Sequence, residues 1–307
     1  MWTGVLCFLD PYIGWDSSEV IEVDATRAFN AMGGDIEILP YDIRKSESAW
    51  LFKSIIRKER RLEKIFSFYD AGSELSTLNR DRSIRASDEL LAVISKALEY
   101  SRETGGRYDI TRGKAFDGRK RGIEAQTSCS FEDIHICGRS ICLKHEDAIL
   151  DLGSIAKGYI VDLLVEHMRG LGLSSGFIDA RGDMRVFGDN VEVIGIQHPR
   201  DSSKTTRSIV LDDNAVATSG DYMQFFGDYD RSHIIGTKGF SSVTVITDDL
   251  MNADAMASCI SVLDPHEAET FLSRHKGVKA FAYGRDLREY EFNGIKESYP
   301  EVYVNAF

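Results

Sequence analysis

Leu51, Ile55, Leu62 and Ile65 fall at helical spacing and predict a helix from about Ser48 to Phe66, with a basic outer face running from Lys53 through Lys58 to Arg61. A second helix is predicted from about Ser87 to Thr104. Ser87-Asp88-Glu89 is a good capping start for it, and Gly105-Gly106 closes it. The spacing predicts a third helix from about Ile155 to Leu171, ended by Gly172, and two more at Ala253–Leu263 and His266–Lys276. Between these, short apolar stretches read as strands at Asp35–Leu39, Phe177–Asp183, Val191–Gln197, Ser208–Leu211, Ser242–Thr247, Val278–Tyr283 and Glu289–Phe292. IHICGRSICLKHEDAILDL reads as a β-hairpin around Gly138-Arg139, followed by another strand. Strands and helices mix without regular βαβ alternation, so the fold class expected is α+β. Residues 1–25 look like an irregular N-terminal extension, and no linker-like stretch divides 26–307, which is expected to be a single domain.

With 307 residues, 43% hydrophobic and 28% charged, the chain can bury a large core. Its 37 Lys and Arg against 49 Asp and Glu give a net charge of −12. That argues against a nucleic-acid partner, because polyanion binding needs a basic surface. It does not forbid a phosphate-bearing small molecule, whose charge a metal ion or a local lysine would then offset. Cys7, Cys129, Cys137, Cys142 and Cys259 are odd in number and form no CxxC, which reads as free thiols in a reducing compartment. MWTGVLCFLDPYIGWDSS has no basic start and too short an apolar run for a signal peptide. Leu6 before Cys7 fits a lipoprotein site poorly, and no stretch reaches membrane-span length. The expectation is a cytoplasmic protein without membrane insertion.

Three segments carry candidate chemistry. In DLGSIAKGYIVD, residues 151–162, Ser154 stands where a helix N-cap belongs, Lys157 adds a charge in the first turn, and Asp151 leaves a strand end. Such a helix start suits a phosphate, although Asp and Ser cap many helices that bind nothing. In NADAMASCISVL, residues 252–263, Asp254 and Ser258 are one helical turn apart. A carboxylate plus a hydroxyl is hard-oxygen ligation of the kind Mg2+ takes, and the plainer reading is a dipole-favouring acid with a small packing residue. In RSHIIGTKG, residues 231–239, His233 is a general base or a satisfied strand-end histidine. His135, Cys137, Cys142 and His145 match no zinc spacing and are explained by the hairpin. Arg181-Gly182-Asp183 reads as a tight turn between strands, and GGRYDITRGK is no phosphate loop.

The ordered set FNAMGGDIEIL, FSFYDAGSELSTLN, GRYDIT, DLGSIAKGYIVD, DARGDMRVFG, VIGIQHP, AVATSGDYMQFF, SHIIG, SSVTVI and NADAMASCISVL resembles the ApbE-type family of flavin transferases (FAD:protein FMN transferases), from about residue 27 to 284. The resemblance implies a two-lobed α+β fold with mixed or antiparallel sheets, packed helices and an FAD cleft between the lobes. It also implies Mg2+-assisted attack of a Ser or Thr hydroxyl of an acceptor protein on the FMN-side phosphorus of FAD, with AMP leaving. By matching position, Met32, Tyr69, Arg107, Tyr108, Asp109, Asp151, Lys157 and Ile235 would contact FAD. Ser154, Asp254 and Ser258 would surround the metal, with the backbone carbonyl as one route open to Ser154, and His233 would be the base.

This chain departs from the family's pattern in four places. Met-Gly-Thr becomes Met32-Gly33-Gly34, and Gly-Gly-Asp becomes Arg181-Gly182-Asp183. The stretch after His233 loses an acidic residue and shortens, and Ser258 replaces the commoner threonine while keeping the hydroxyl. Two competing activities share these residues: a metal-dependent FAD pyrophosphatase, in which water replaces the acceptor, and a flavin-binding protein without turnover.

Overall fold

The computed structural model describes residues 7–8, 26–43, 45–123, 127–222, 236 and 239–294. Alternation along the strands creates two different faces on one large sheet. In β11 (Ala215–Gly220), Ala215 and Ala217 pack into one core and Val216 into another. In β13 (Lys279–Gly284), Ala280 and Ala282 are likewise opposed by Phe281 and Tyr283. The other members are β2 (Arg27–Ala31), β3 (Gly34–Pro40), β7 (Gly176–Ala180), β8 (Asp183–Phe187), β12 (Phe240–Thr247) and β14 (Glu289–Phe292), in the antiparallel order β14-β13-β12-β11-β8-β7-β3-β2.

Seven α-helices occur among the described residues. The small-residue face of the sheet receives α5 (Ala156–Gly170) and α6 (Leu250–Ser261), and α1 (Lys45–Phe66) and α3 (Asp88–Glu103) complete that core. The opposite face is covered by a three-stranded sheet, β1 (Cys7–Phe8), β9 (Val191–His198) and β10 (Asp201–Asp212), through Ile194, Ile196, Ile209 and Leu211. A third sheet, in the order β4 (Ser83–Arg85), β6 (Ser140–Leu143), β5 (Ile134–Cys137), contains the expected hairpin. The α+β class expected from the sequence is the one observed. No described helix is long and apolar enough to cross a membrane.

Local signals act as the sequence suggests in several places. Ser87 caps α3 by accepting the Leu90 amide, and Gly105 and Gly172 follow their helices with positive φ. The strand expected at Ala148–Leu150 is a correction. That segment pairs through a single bridge, Ile149 with Arg112. Around that bridge Ile149 donates to the Thr111 carbonyl at 3.2 Å and accepts from the Gly113 amide at 2.8 Å, while Leu150 is served by a side chain, with Asn79 donating to its carbonyl at 2.9 Å and accepting from its amide at 2.7 Å. The stretch Phe177–Asp183 is a hairpin, β7 turning at Arg181-Gly182 into β8, as the tight-turn reading required. Two helices were not foreseen, α2 (Glu74–Asp81) and α4 (Gly113–Lys120). Each spans only about two turns, and α2 buries just Leu75 and Leu78, too short a pattern to stand out from loop.

Glu59 lies on the inward side of α1 with 0% exposure, and among the described residues neither carboxyl oxygen has a hydrogen-bond partner. Arg60 Nε, at 3.9 Å, is beyond hydrogen-bonding reach. Burial, reinforced by the Glu63 charge and opposed by Arg60, pushes the Glu59 carboxyl up to about 7. A carboxyl whose pKa is higher folded than unfolded binds more protons in the native state, so stability falls as pH rises from the ordinary value of 4.5 through about 7. The ionisation costs on the order of 3 kcal/mol above that window. Glu59→Gln is therefore expected to match the parent in stability near pH 4.5 and to exceed it at pH 8. Denaturant melts at both pH values test this, and a gap that does not widen with pH would refute it.

Candidate functional site

Two tight turns stand at the same end of the main sheet. Met32-Gly33 joins β2 to β3, and Arg181-Gly182 joins β7 to β8. They share an end because β3 pairs antiparallel with β7, Glu37 opposite Asp179. Their φ values are 50° and 80° in the first turn and 66° and 90° in the second, the conformation that matches hairpin twist. Glycine adopts it freely, whereas Met32 and Arg181 are held there at about 1 kcal/mol or more each. The Met32 amide donates to Glu63 Oε1 at 3.1 Å, and Arg181 Nη1 donates to the Met32 carbonyl at 3.4 Å. Asp179 closes the second turn by accepting the Gly182 amide at 2.7 Å, and burial raises its carboxyl above the usual range.

The start of α5 faces the same region. Its N-cap is Ile155, without a side-chain cap, so the expectation that Ser154 caps the helix is corrected. Ser154 Oγ is instead 2.9 Å from Tyr108 Oη, and burial keeps that phenol protonated by raising its pKa well above 10. The Gly158 amide, whose helical acceptor would be the Ser154 carbonyl, donates instead to Asp254 Oδ2 at 3.1 Å. The Ser154 carbonyl is thus left without its helical donor beside a buried carboxylate. Lys157 is ion-paired with Asp183. Asp183 Oδ1 also accepts the Thr218 amide at 3.2 Å, which ties the start of α5 to β8 and β11.

Helix α6 supplies the remaining groups. Asp249 caps it by accepting the Asn252 amide at 2.9 Å, and Asp162 of α5 accepts the Leu250 and Met251 amides at 2.9 and 2.8 Å. Asp162 is pushed up to about 7, because burial outweighs those amides. Asp254 is buried and its carboxyl is raised by that burial, against the opposing effects of Lys157 and the Gly158 amide. One turn on, Ser258 Oγ lies 3.3 Å from Ser219 Oγ of β11. The oxygen groups offered by these residues are therefore the Asp254 carboxylate, the Ser154 carbonyl and neutral hydroxyls. Among the described residues no three His, Cys, Asp or Glu form a metal cage. Such an oxygen set fits Mg2+, which keeps waters and phosphate oxygens as its other ligands.

The remaining residues named from the resemblance are more scattered. Arg107 pairs with Glu267 and lines a cavity of about 530 Å³ with Thr104, Gly106, Arg112, Gly236 and Val262. Asp109 spends both carboxyl oxygens on Thr111 and the Phe131 amide, which makes it a brace for its own loop. Asp151 Oδ1 accepts the Gly153 amide at 2.8 Å. Tyr69 is 68% exposed, edge-on to Phe68 at 5.2 Å. His233 and Ile235 lie outside the described residues. Asp183 and Ser219 were not singled out from the sequence. The signals for them were an acid directly after a two-residue turn and a hydroxyl in AVATSGDYMQFF, both ordinary when read alone.

The ApbE family matches residues 32–282 of this chain. A Vibrio cholerae FAD:protein FMN transferase is 28% identical over 239 residues, 67% of this chain and 72% of the relative. A FAD:protein FMN transferase of Treponema pallidum is 26% identical over 288 residues, 76% of this chain and 80% of the relative. In fold the chain is similar to the flavin transferase ApbE from Vibrio cholerae, with a TM-score of 0.75 at 24% identity, covering 87% of this chain and 96% of that one. The ApbE protein from Thermotoga maritima gives a TM-score of 0.76 at 22% identity, with the same coverage.

A Cβ on Gly158 would lie 2.3 Å from the Leu250 carbonyl oxygen and 2.7 Å from the Met251 nitrogen, both backbone atoms. Alanine gains up to about 1 kcal/mol over glycine within a helix, whereas overpacking against backbone costs about 1–3 kcal/mol. Gly158→Ala is therefore expected to lower stability in denaturant unfolding, and an unchanged or raised midpoint would show that α5 and α6 do not meet so closely.

Proposed function

The chain belongs to the ApbE family, and from that premise we propose that it transfers the FMN half of FAD to a Ser or Thr hydroxyl of an acceptor protein and releases AMP. The observation that supports this reading is the junction of α5 and α6, where the Gly158 amide at the start of α5, one residue after Lys157, donates to Asp254 of α6, 96 residues later in the chain and one turn before Ser258. Mg2+ would be held there by the Ser154 carbonyl, the Asp254 carboxylate and the Ser258 hydroxyl. When bound, it would neutralise diphosphate charge and so favour both the approach of a hydroxyl and the departure of AMP.

The chain's own residues have separable tasks. Lys157, oriented by Asp183, supplies a fixed positive charge at the helix start, the end whose dipole favours an anion. Tyr108 holds the Ser154 side chain, so that the carbonyl of that residue keeps its direction. Asp254 is positioned by the Gly158 amide before any ligand arrives, which limits reorganisation during the reaction. His233 is the residue we assign as base, accepting the proton of the attacking hydroxyl.

The test is incubation with FAD, Mg2+ and an FMN-acceptor domain, followed by intact mass of the acceptor. The expected result is one covalent FMN per acceptor site with release of AMP. Asp254→Ala is expected to lower the rate about a hundredfold or more, the loss of several kcal/mol of charge stabilisation. FMN and AMP formed equally without acceptor would instead establish a pyrophosphatase. Unaltered FAD after prolonged incubation with Mg2+ would establish a binding protein.

A further inference from the structure

Arg181 occupies a turn position that glycine adopts more readily, and although it is exposed its side chain lies back across the neighbouring Met32-Gly33 turn. A Cβ on Gly34 would come within 2.5 Å of Arg181 Cδ and 2.6 Å of Nε, and one on Gly33 within 3.6 Å of Nη1. Nη1 also donates to the Met32 carbonyl at 3.4 Å. The guanidinium is therefore placed by two turns at once. Among the described residues it forms no ion pair, whereas Lys157 has Asp183. The two cations meet at one hairpin all the same, since Asp183, the partner of Lys157, stands two residues after Arg181 at the end of the same turn. Two cations held near one another, one of them without a carboxylate, form an arrangement that an anionic ligand completes.

We propose that Arg181 is a second anion-binding side chain of the flavin site, holding the phosphate-bearing part of the dinucleotide from the Met32 side while Lys157 holds it from the α5 side. The identity of the ligand rests on the flavin-transferase reading. The role of Gly34 follows directly: any side chain there strikes Arg181. The two departures from the family's pattern in these turns, glycine at 34 and arginine at 181, are then a single compensated change. An arginine gains its place over the site because the residue beside it gives up a Cβ.

Titration of the full chain with FAD and with riboflavin, which has no phosphate, tests this through flavin fluorescence. Losing a charge-assisted contact of about 1.5–3 kcal/mol should weaken FAD about ten- to a hundredfold in Arg181→Gly, leave riboflavin unchanged, and leave the melting temperature no lower. Arg181→Lys should recover part of the affinity. Gly34→Thr should reproduce the loss when Arg181 is present and add nothing in the Arg181→Gly background. Equal losses for FAD and riboflavin, an unchanged FAD affinity in Arg181→Gly, or additive effects of the two substitutions would overturn the proposal. Failure of the parent chain to bind FAD at all would instead overturn the flavin reading beneath it.

Discussion

At Gly158 the backbones of α5 and α6 come together with no side chain between them, and carboxylates of each helix reach the first-turn amides of the other. Asp162 takes the Leu250 and Met251 amides, and Asp254 takes the Gly158 amide. Each helix thus satisfies free amides of the other. The direction of Asp254 and the diversion of the Gly158 amide from the Ser154 carbonyl both depend on that approach. Were the helices an ångström or two further apart, the same residues would be ordinary helix-start acids and hydroxyls.

Electrostatics at this end of the sheet favours a cationic complement. Asp162, Asp179 and Asp254 are all raised by burial; backbone amides hold the first two, and Asp254 has the Lys157 charge and the Gly158 amide. Amides orient a carboxylate but do not neutralise it. Lys157 and Arg181 provide fixed positive charge nearby, as the proposed binding of a divalent ion and a diphosphate would require. In a chain of net charge −12, this local arrangement matters more to an anionic ligand than the overall balance does.

Much of the fold was legible because the long elements have strong periodicity and punctuation. The α3 helix was bracketed by Ser87 and Gly105, and the Arg181-Gly182 turn declared itself between two apolar runs. The misses have definite causes. Asn79 takes both backbone groups of Leu150, which a longer strand there would have paired with a neighbour, and no local pattern reveals a partner 71 residues away. The polar first half of β10, an edge strand, shows no alternation to read. At the site, residue types were visible in the sequence but allegiances were not. Ser154 looked like a cap and is a partner of Tyr108, while Asp183 looked like part of a turn and is the counter-ion of Lys157.

Helix α6 borrows two of its first-turn donors' acceptors from α5, 88 and 89 residues earlier in the chain. Its start is consequently completed by distant chain rather than by its own flanking residues alone. The strands between the two helices must be assembled before those bonds can close, since closing so long a loop has no local reward. The site therefore cannot be cut out of the chain: a fragment ending before α6 would keep Ser154 with Tyr108 and Lys157 with Asp183, but would lack Asp254 and Ser258 and leave the Gly158 amide without its acceptor.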